Sequence, residues 1–425
     1  MYMFSKYISV SIVAASVLML FSGCGSGSSK KDNIKDGLFI KAAVYDTNNT
    51  DTVLDDTLTI YFNRSIDINT SAKELKKNFD IKGTGAFSDL VQVDYNDMMF
   101  HRLQIKMDAN STKFVPGTTT IALSKLSDLQ NLFTLNGSHV AITEPRKLLR
   151  TGQSVSYSTN DDGTYQMGYV RSYTSNGDGT VTDNVTKLIW QESDDGTLRD
   201  WNSSVAYCEA LTTAGLEWQL PSMDQLIELS NKGINSPAID TLFSSTKNSG
   251  YWSVDEYLAS SRDDIWTVNF QDSRTNNPEK ISSRYVRCVH IPAIQPRAVY
   301  TRDASKEIVL DVSTNLMWQD DAQTISADGK KTWNEAIEMC EQLDVGGYSD
   351  WRLPNLNELN SITDKTTYGP AMNKEFQNKK SVRFWSSTTE DANNSNAWYS
   401  YFWCGCNDVE DKNDKNNVRC VRSAE

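Results

Sequence analysis

Histidine is scarce in this chain. His101, His139 and His290 are the only three in 425 residues, and none stands in a Ser-His-Asp or Cys-His order. Walker and dinucleotide-binding glycine motifs are missing too, so the common nucleotide-dependent chemistries have no foothold. Basic charge is short: 42 Lys and Arg stand against 55 Asp and Glu, a net charge of −13. A nucleic-acid partner needs a basic footprint, which this balance argues against. Broad attraction to anionic lipid or sulfated glycan needs the same. Beyond residue 21 no apolar run is long enough to span a bilayer.

What the sequence has is repetition. From Trp201 it reads W-N-S-S-V-A-Y-C, then W-Q-L-P, Y-W-S, W-T-V-N-F and Y-V-R-C-V. From Trp333 it reads W-N-E-A-I-E-M-C, then W-R-L-P, F-W-S-S, W-Y-S-Y-F and N-V-R-C-V. The offset stays at 132 or 133 residues throughout, from Trp201/Trp333 to Cys288/Cys420. A period this long is domain-sized, so each copy is expected to own a core. Shared positions read as fold, and unshared ones as specificity.

The seven cysteines sort by the same repeat. Cys208 and Cys288 are 80 residues apart, as are Cys340 and Cys420. Six cysteines allow about 15 connectivities, and equal spacing within each copy selects Cys208–Cys288 and Cys340–Cys420. Cys404 and Cys406 occur only in the second copy. A tight local disulfide is the simpler reading. A redox or metal-binding thiol pair is the alternative, although no His or further Cys stands near to complete a metal site.

The ends and elements follow. Lys6 precedes the apolar stretch from Ile8 to Phe21, a targeting segment. It runs into Phe21-Ser22-Gly23-Cys24, which resembles a bacterial lipobox with Phe in place of the usual Leu. Residues 1–23 are therefore expected as a lipoprotein signal peptide and Cys24 as the lipidated residue. Residues 24–37 read as a Gly/Ser-rich tether. Gly25 is not Asp, which by resemblance to Gram-negative sorting rules implies the outer membrane. Residues 38–145 show period-2 strands, as in Leu58, Ile60 and Phe62, and resemble a bacterial immunoglobulin-like sandwich. Copies 1 and 2 are placed at 146–293 and 294–425. Each has a first helix carrying its Trp and Cys on one face, capped by Asp200 or by Thr332 with Glu335. A second helix follows Leu220-Pro221 or Leu353-Pro354, with Ser222/Gln225 and Asn355/Glu358 as caps. Glu228 on that helix is expected on a solvated face. Trp190, Trp218, Trp318 and Trp351, needed by both copies, are expected in the core.

The joint pattern of T-G-Q-S-V-S-Y, N-G-D-G-T-V-T-D, the W-x-x-x-x-x-x-C helix, W-x-L-P and V-R-C-V resembles the Lcl C-terminal domain, twice over. That family is similar in turn to C-type-lectin-like domains. The resemblance implies a multi-domain chain: an immunoglobulin-like sandwich followed by two α+β, C-type-lectin-like domains. It also implies an extracytoplasmic, non-catalytic binding protein or adhesin for carbohydrate or another surface ligand. An enzyme of the formylglycine-generating type, using Cys404 and Cys406, and a purely structural envelope protein are the alternatives. The lectin calcium motifs Glu-Pro-Asn and Trp-Asn-Asp are absent. Calcium enters only through Asn176, Asp178, Thr180 and Asp183, which resemble part of an oxygen-ligand loop, but Thr174 and Val185 hold the positions where a full loop has acids. No other cofactor is expected. Aromatics without a counterpart in the other copy, Trp403, Tyr257, Tyr348 and Tyr368, are the binding candidates. The expected partners are the membrane, through lipid, and a glycan or envelope polymer. Replacing Cys24 by Ser is expected to move the protein from the detergent-extracted membrane fraction to the soluble one, measured by cell fractionation.

Overall fold

A computed structural model describes residues 38–47, 53, 54, 56–62, 76–88, 92–97, 102–124, 138–292, 298–321 and 329–424. The expected signal peptide, the tether, Cys24 and His101 lie outside the described residues. Among the described residues no helix is long and apolar enough to cross a membrane. The architecture is mostly β, in several sheets with few helices, and holds two tandem domains of like topology.

Seven strands come first: β1 (Ile40–Asp46), β2 (Thr57–Phe62), β3 (Phe79–Lys82), β4 (Gln92–Asp97), β5 (Arg102–Lys106), β6 (Thr120–Leu123) and β7 (Val140–Thr143). They lie in the order β3-β6-β7-β1-β2-β5-β4, antiparallel except where β7 runs parallel to β1. The alternating apolar residues Leu58, Ile60 and Phe62 face a core with Tyr45, Phe87, Leu103 and Phe114. Tyr45 donates its hydroxyl to Asp56 inside that core. The period-2 pattern predicts a wet opposite face on β2. Instead Thr59 and Tyr61 are buried as well, because Val44 and Tyr61 pack against Ile308 and Leu310 of copy 2.

Copy 1 holds β8 (Tyr173–Ser175), β9 (Thr180–Asp183), β10 (Ile189–Gln191), β11 (Gly250–Glu256), β12 (Ile265–Asn269), β13 (Thr275–Asn276) and β14 (Val289–His290). Copy 2 holds β15 (Tyr300–Asp303), β16 (Ile308–Asp311), β17 (Leu316–Gln319), β18 (Arg383–Thr389), β19 (Asn396–Tyr401), β20 (Cys406–Asp411) and β21 (Val421–Ser423). Each forms a four-stranded sheet closed by its last strand and a separate three-stranded sheet. A short helix, α1 (Asp162–Tyr165), precedes them; α2 (Trp201–Ala210) and α3 (Met223–Leu229) belong to copy 1, and α4 (Trp333–Glu341) and α5 (Leu356–Ser361) to copy 2.

The helices start where the caps predict. Asp200 accepts from the Ser203 amide, and Thr332/Glu335, Ser222/Gln225 and Asn355/Glu358 form full capping boxes. Trp333, Ala336, Ile337 and Cys340 are the buried stripe of α4. The stripe delivers Cys340 to Cys420, as α2 delivers Cys208 to Cys288, and both bonds are formed. Beside each cystine a wholly buried arginine donates to main-chain oxygens: Arg287 to Gln191 and Glu192, Arg419 to Gln319 and Asn378. Trp190, Trp218, Trp318 and Trp351 are all in the core.

The copies pack on each other where two equivalent positions meet. Thr275 and Asn407, 132 residues apart, meet through the Thr275 hydroxyl and both main-chain groups of Asn407 at 3.2 and 2.9 Å. Arg274 reaches Glu390 at 2.6 Å and Asp408 at 2.9 Å. The stretch from Leu148 to Met167, expected to open copy 1, lies between the copies: the Lys232 amide of copy 1 donates to the Thr151 carbonyl at 2.8 Å, and copy 2 covers the other side. Leu148 is buried with Val309, Trp318 and Leu359, and Asn357 donates to the Leu149 carbonyl at 2.7 Å.

Arg419→Ala would leave the Gln319 and Asn378 carbonyls without this donor and remove a guanidinium from beside buried Asp320, 3.4 Å away, which keeps Arg302. The expected loss in denaturant unfolding of the full chain is about 3–5 kcal/mol. Lys280→Ala, whose ion-pair partner Asp263 is 71% exposed, is expected to change stability by no more than about 0.5 kcal/mol.

Candidate functional site

Three of the four aromatic candidates come together. Tyr368 and Trp403 meet edge to face at 6.5 Å, and Tyr401 stacks on Trp403 at 6.1 Å. Tyr257 packs on Trp266 at 4.8 Å, in the same cluster as Tyr401 and Cys404. Tyr368 is 56% exposed and Trp403 36% exposed. Tyr401, which has no place among the sequence candidates, completes the platform; its counterpart in copy 1, Asn269, is not aromatic, a difference that could have flagged it.

The platform is held by the turn between β19 and β20. Cys404 and Cys406 are bonded to each other, the tight local disulfide expected. Gly405 between them has φ +77°, and a Cβ there would come within 3.0 Å of the Lys365 ammonium. Lys365 donates to the Gly405 carbonyl at 2.7 Å, and Gly369 donates its amide to the Trp403 carbonyl at 2.8 Å. Cys404 is buried in the core of copy 1, beside Trp266 and Phe270. The disulfide turn is therefore also a clasp between the copies. Tyr348 is elsewhere: the Arg422 guanidinium covers its ring at 4.1 Å and Lys306 lies 4.8 Å from the ring centre, so it stacks with cations rather than facing a ligand.

Next to this turn lies a cavity of about 750 Å³, at the junction of the linker at Pro145-Arg146, the start of α3 and the end of α5. Asp224, Asp255, Glu228, Asp364, Lys365 and Tyr300 line it. Glu228 is not on a solvated face. It is paired with Arg146 at 2.9 Å because the linker and copy 2 cover that side of α3, and burial pushes its carboxyl up. Burial also pushes the Asp255 carboxyl up and the Lys365 ammonium down. Lys365 both lines the cavity and bonds the turn carrying Trp403, so the two features adjoin. No motif marks Asp224 or Asp255 in the sequence.

The residues considered for calcium serve a hairpin. Asp178 accepts from the Thr180 hydroxyl at 2.6 Å and amide at 3.1 Å, and Asn176 donates to Thr180 and Thr182. Asp183 is buried and accepts from the amides of Val185 and Thr186 in the following turn. Among the described residues no group of three or more His, Cys, Asp or Glu is arranged to hold a metal ion.

Residues 179–290 and 307–422 each match the Lcl C-terminal domain, together more than half of the chain. The chain belongs to the Lcl C-terminal domain family. Its two Lcl C-terminal domains begin, by this match, after the stretch 148–167 that docks on the second of them. No curated protein is detectably similar to the chain in sequence.

That docked stretch carries Asp162, buried between Lcl domain 2 and the Thr151 hydroxyl. Thr151 and Thr388 both donate to one of its oxygens, at 2.5 and 2.8 Å. Burial, with Glu358 and Asp161 nearby, pushes its carboxyl up to about 7 from 3.8. The native state therefore keeps a proton that the unfolded chain loses, and stability falls as pH rises from about 4 to about 7, by on the order of 4 kcal/mol. Asp162→Asn, whose amide oxygen accepts both hydroxyls, is expected to remove that slope. Denaturant unfolding of both proteins at pH 4.5 and 7.5 measures it.

Proposed function

We propose that the chain is a non-catalytic binding protein of the cell envelope that recognises carbohydrate through Trp403, Tyr368 and Tyr401. The observation that carries this reading is the exposed Trp403–Tyr368 pair on a disulfide-held turn. Flat aromatic faces of this kind stack on the apolar faces of sugar rings, and their rigidity lowers the entropy lost on binding. In this reading the scaffold is C-type-lectin-like and calcium-free, and the first seven strands are an immunoglobulin-like spacer. Cys24 carries the lipid, which holds the protein at the outer membrane of a Gram-negative cell.

The binding is single rather than paired. Gln271 and Asn235 stand in copy 1 where copy 2 has Trp403 and Tyr368, so only one platform is built per chain. The two copies are packed together, which removes the flexible two-headed arrangement that avidity needs.

A panel of bacterial and host polysaccharides tests this. Residues 38–425 are expected to bind at least one of them with a Kd that Trp403→Ala raises about tenfold or more. Absence of binding to every glycan, or an unchanged Kd in the variant, would overturn the reading.

A further inference from the structure

The internal duplication supplies a comparison within one molecule. In copy 2 the groove at the start of α5 is filled by the stretch 148–167. Four positions hold it: Asn355 donates to the Met167 carbonyl at 3.1 Å, Asn357 to the Leu149 carbonyl at 2.7 Å, Thr388 to the Asp162 carboxylate at 2.8 Å, and the Thr389 amide to the Gln153 side chain at 2.6 Å. In copy 1 the same four positions are Ser222, Asp224, Asp255 and Glu256, 133 residues earlier. The backbone around them is equivalent. Asp255 accepts from the first amide of α3 as Thr388 does from that of α5, and Val254 and Ser387 each donate to the proline that opens the helix turn.

The copy 1 groove is the cavity of about 750 Å³, and Ser222, Asp224 and Asp255 line it. Its chemistry is the reverse of its sister's. Where copy 2 presents two amides and a hydroxyl that donate to carbonyls and a carboxylate, copy 1 presents two carboxylates that can only accept. Asp224 keeps one oxygen buried and unbonded; Lys365 and Arg146 also line the groove, but Lys365 is bonded to Thr363 and Gly405 and Arg146 to Glu228, so among the described residues neither is ion-paired with Asp224 or Asp255. The volume suits a short peptide or a drug-sized molecule.

We propose that the copy 1 groove binds an extended peptide segment bearing lysine or arginine, its cationic side chain set between Asp224 and Asp255. The occupied sister groove argues for polypeptide, and the exchange of donors for carboxylates argues for a cation. The segment belongs to a second protein at the cell envelope. The groove adjoins the aromatic platform through Lys365 but takes its ligand independently of what that platform binds.

The test uses the full chain, fluorescein-labelled tetralysine and tetraarginine, and their uncharged tetraglutamine counterpart, read by fluorescence polarisation. Wild type is expected to bind at least one cationic probe and not tetraglutamine. The double variant Asp224→Asn, Asp255→Thr installs the residues that copy 2 carries at these positions, so the fold has a precedent for both. It is expected to weaken binding tenfold or more. Glu209→Gln with Asp344→Asn removes the same charge from the exposed surface and is expected to leave binding within twofold. Equal loss in both double variants would show a general charge effect and overturn the proposal. So would an unchanged affinity in Asp224→Asn, Asp255→Thr, or wild type that binds neither cationic probe. A chitosan oligomer that binds while both peptides fail would assign the groove to an amino sugar and also overturn it.

Discussion

The structure depends on one arrangement made twice: a cystine between the first helix and the last strand, with a buried arginine beside it. The cystine fixes where a helix meets a sheet edge 80 residues later. The arginine then ties down what surrounds that point. Arg419 reaches the carbonyls of Gln319 and Asn378 and lies by Asp320, which in turn accepts the amides of Gln377 and Asn378 and the Arg302 guanidinium. A long irregular loop is thus held by a charge that has nowhere else to go. Losing the arginine leaves buried carbonyls without a donor, which costs more than losing a surface pair. The loops that differ between the copies can vary because this frame does not.

Much of the fold is legible in the residues. The caps read from Asp200, Ser222, Thr332 and Asn355 are where the helices begin, since a cap is a local hydrogen bond needing only residues three apart. The cystine pairs follow from the repeat. Trp190 and Trp318 follow from it too, since a residue present in both copies is explained by the core both must build. What was not legible depends on contacts between domains. Tyr61 reads as a solvent-facing residue of a half-buried strand, and nothing in its own strand announces copy 2 behind it. Glu228 reads as surface because the linker that carries Arg146 to it lies 82 residues earlier.

The candidate site divides the same way. Trp403 and Tyr368 stand out because the other copy lacks them, and they meet. Tyr348 stands out for the same reason and does something else, since it stacks under Arg422. Lack of a counterpart marks a difference between the copies without saying what the difference serves. Asp224 and Asp255 sit in positions that are polar in both copies, so only the three-dimensional comparison of a filled groove with an open one distinguishes them.

The stretch from Leu148 to Met167 has a consequence for how the protein is made. Its partners Asn357 and Thr389 are 208 and 236 residues further along the chain. A polypeptide that leaves the ribosome or a translocation channel amino end first must hold this stretch, with Leu148 exposed, until nearly the whole remaining chain has emerged. Copy 1 can close its own cystine in that interval and hold one edge of this stretch, through the Lys232 amide on the Thr151 carbonyl and the Arg171 guanidinium on the Arg150 carbonyl. Contacts this distant fold slowly, and an apolar segment waiting for its partner is open to proteases and chaperones. A chain cut short after copy 1 would keep Leu148, and the side of this stretch that Asn357 and Thr389 bond, uncovered.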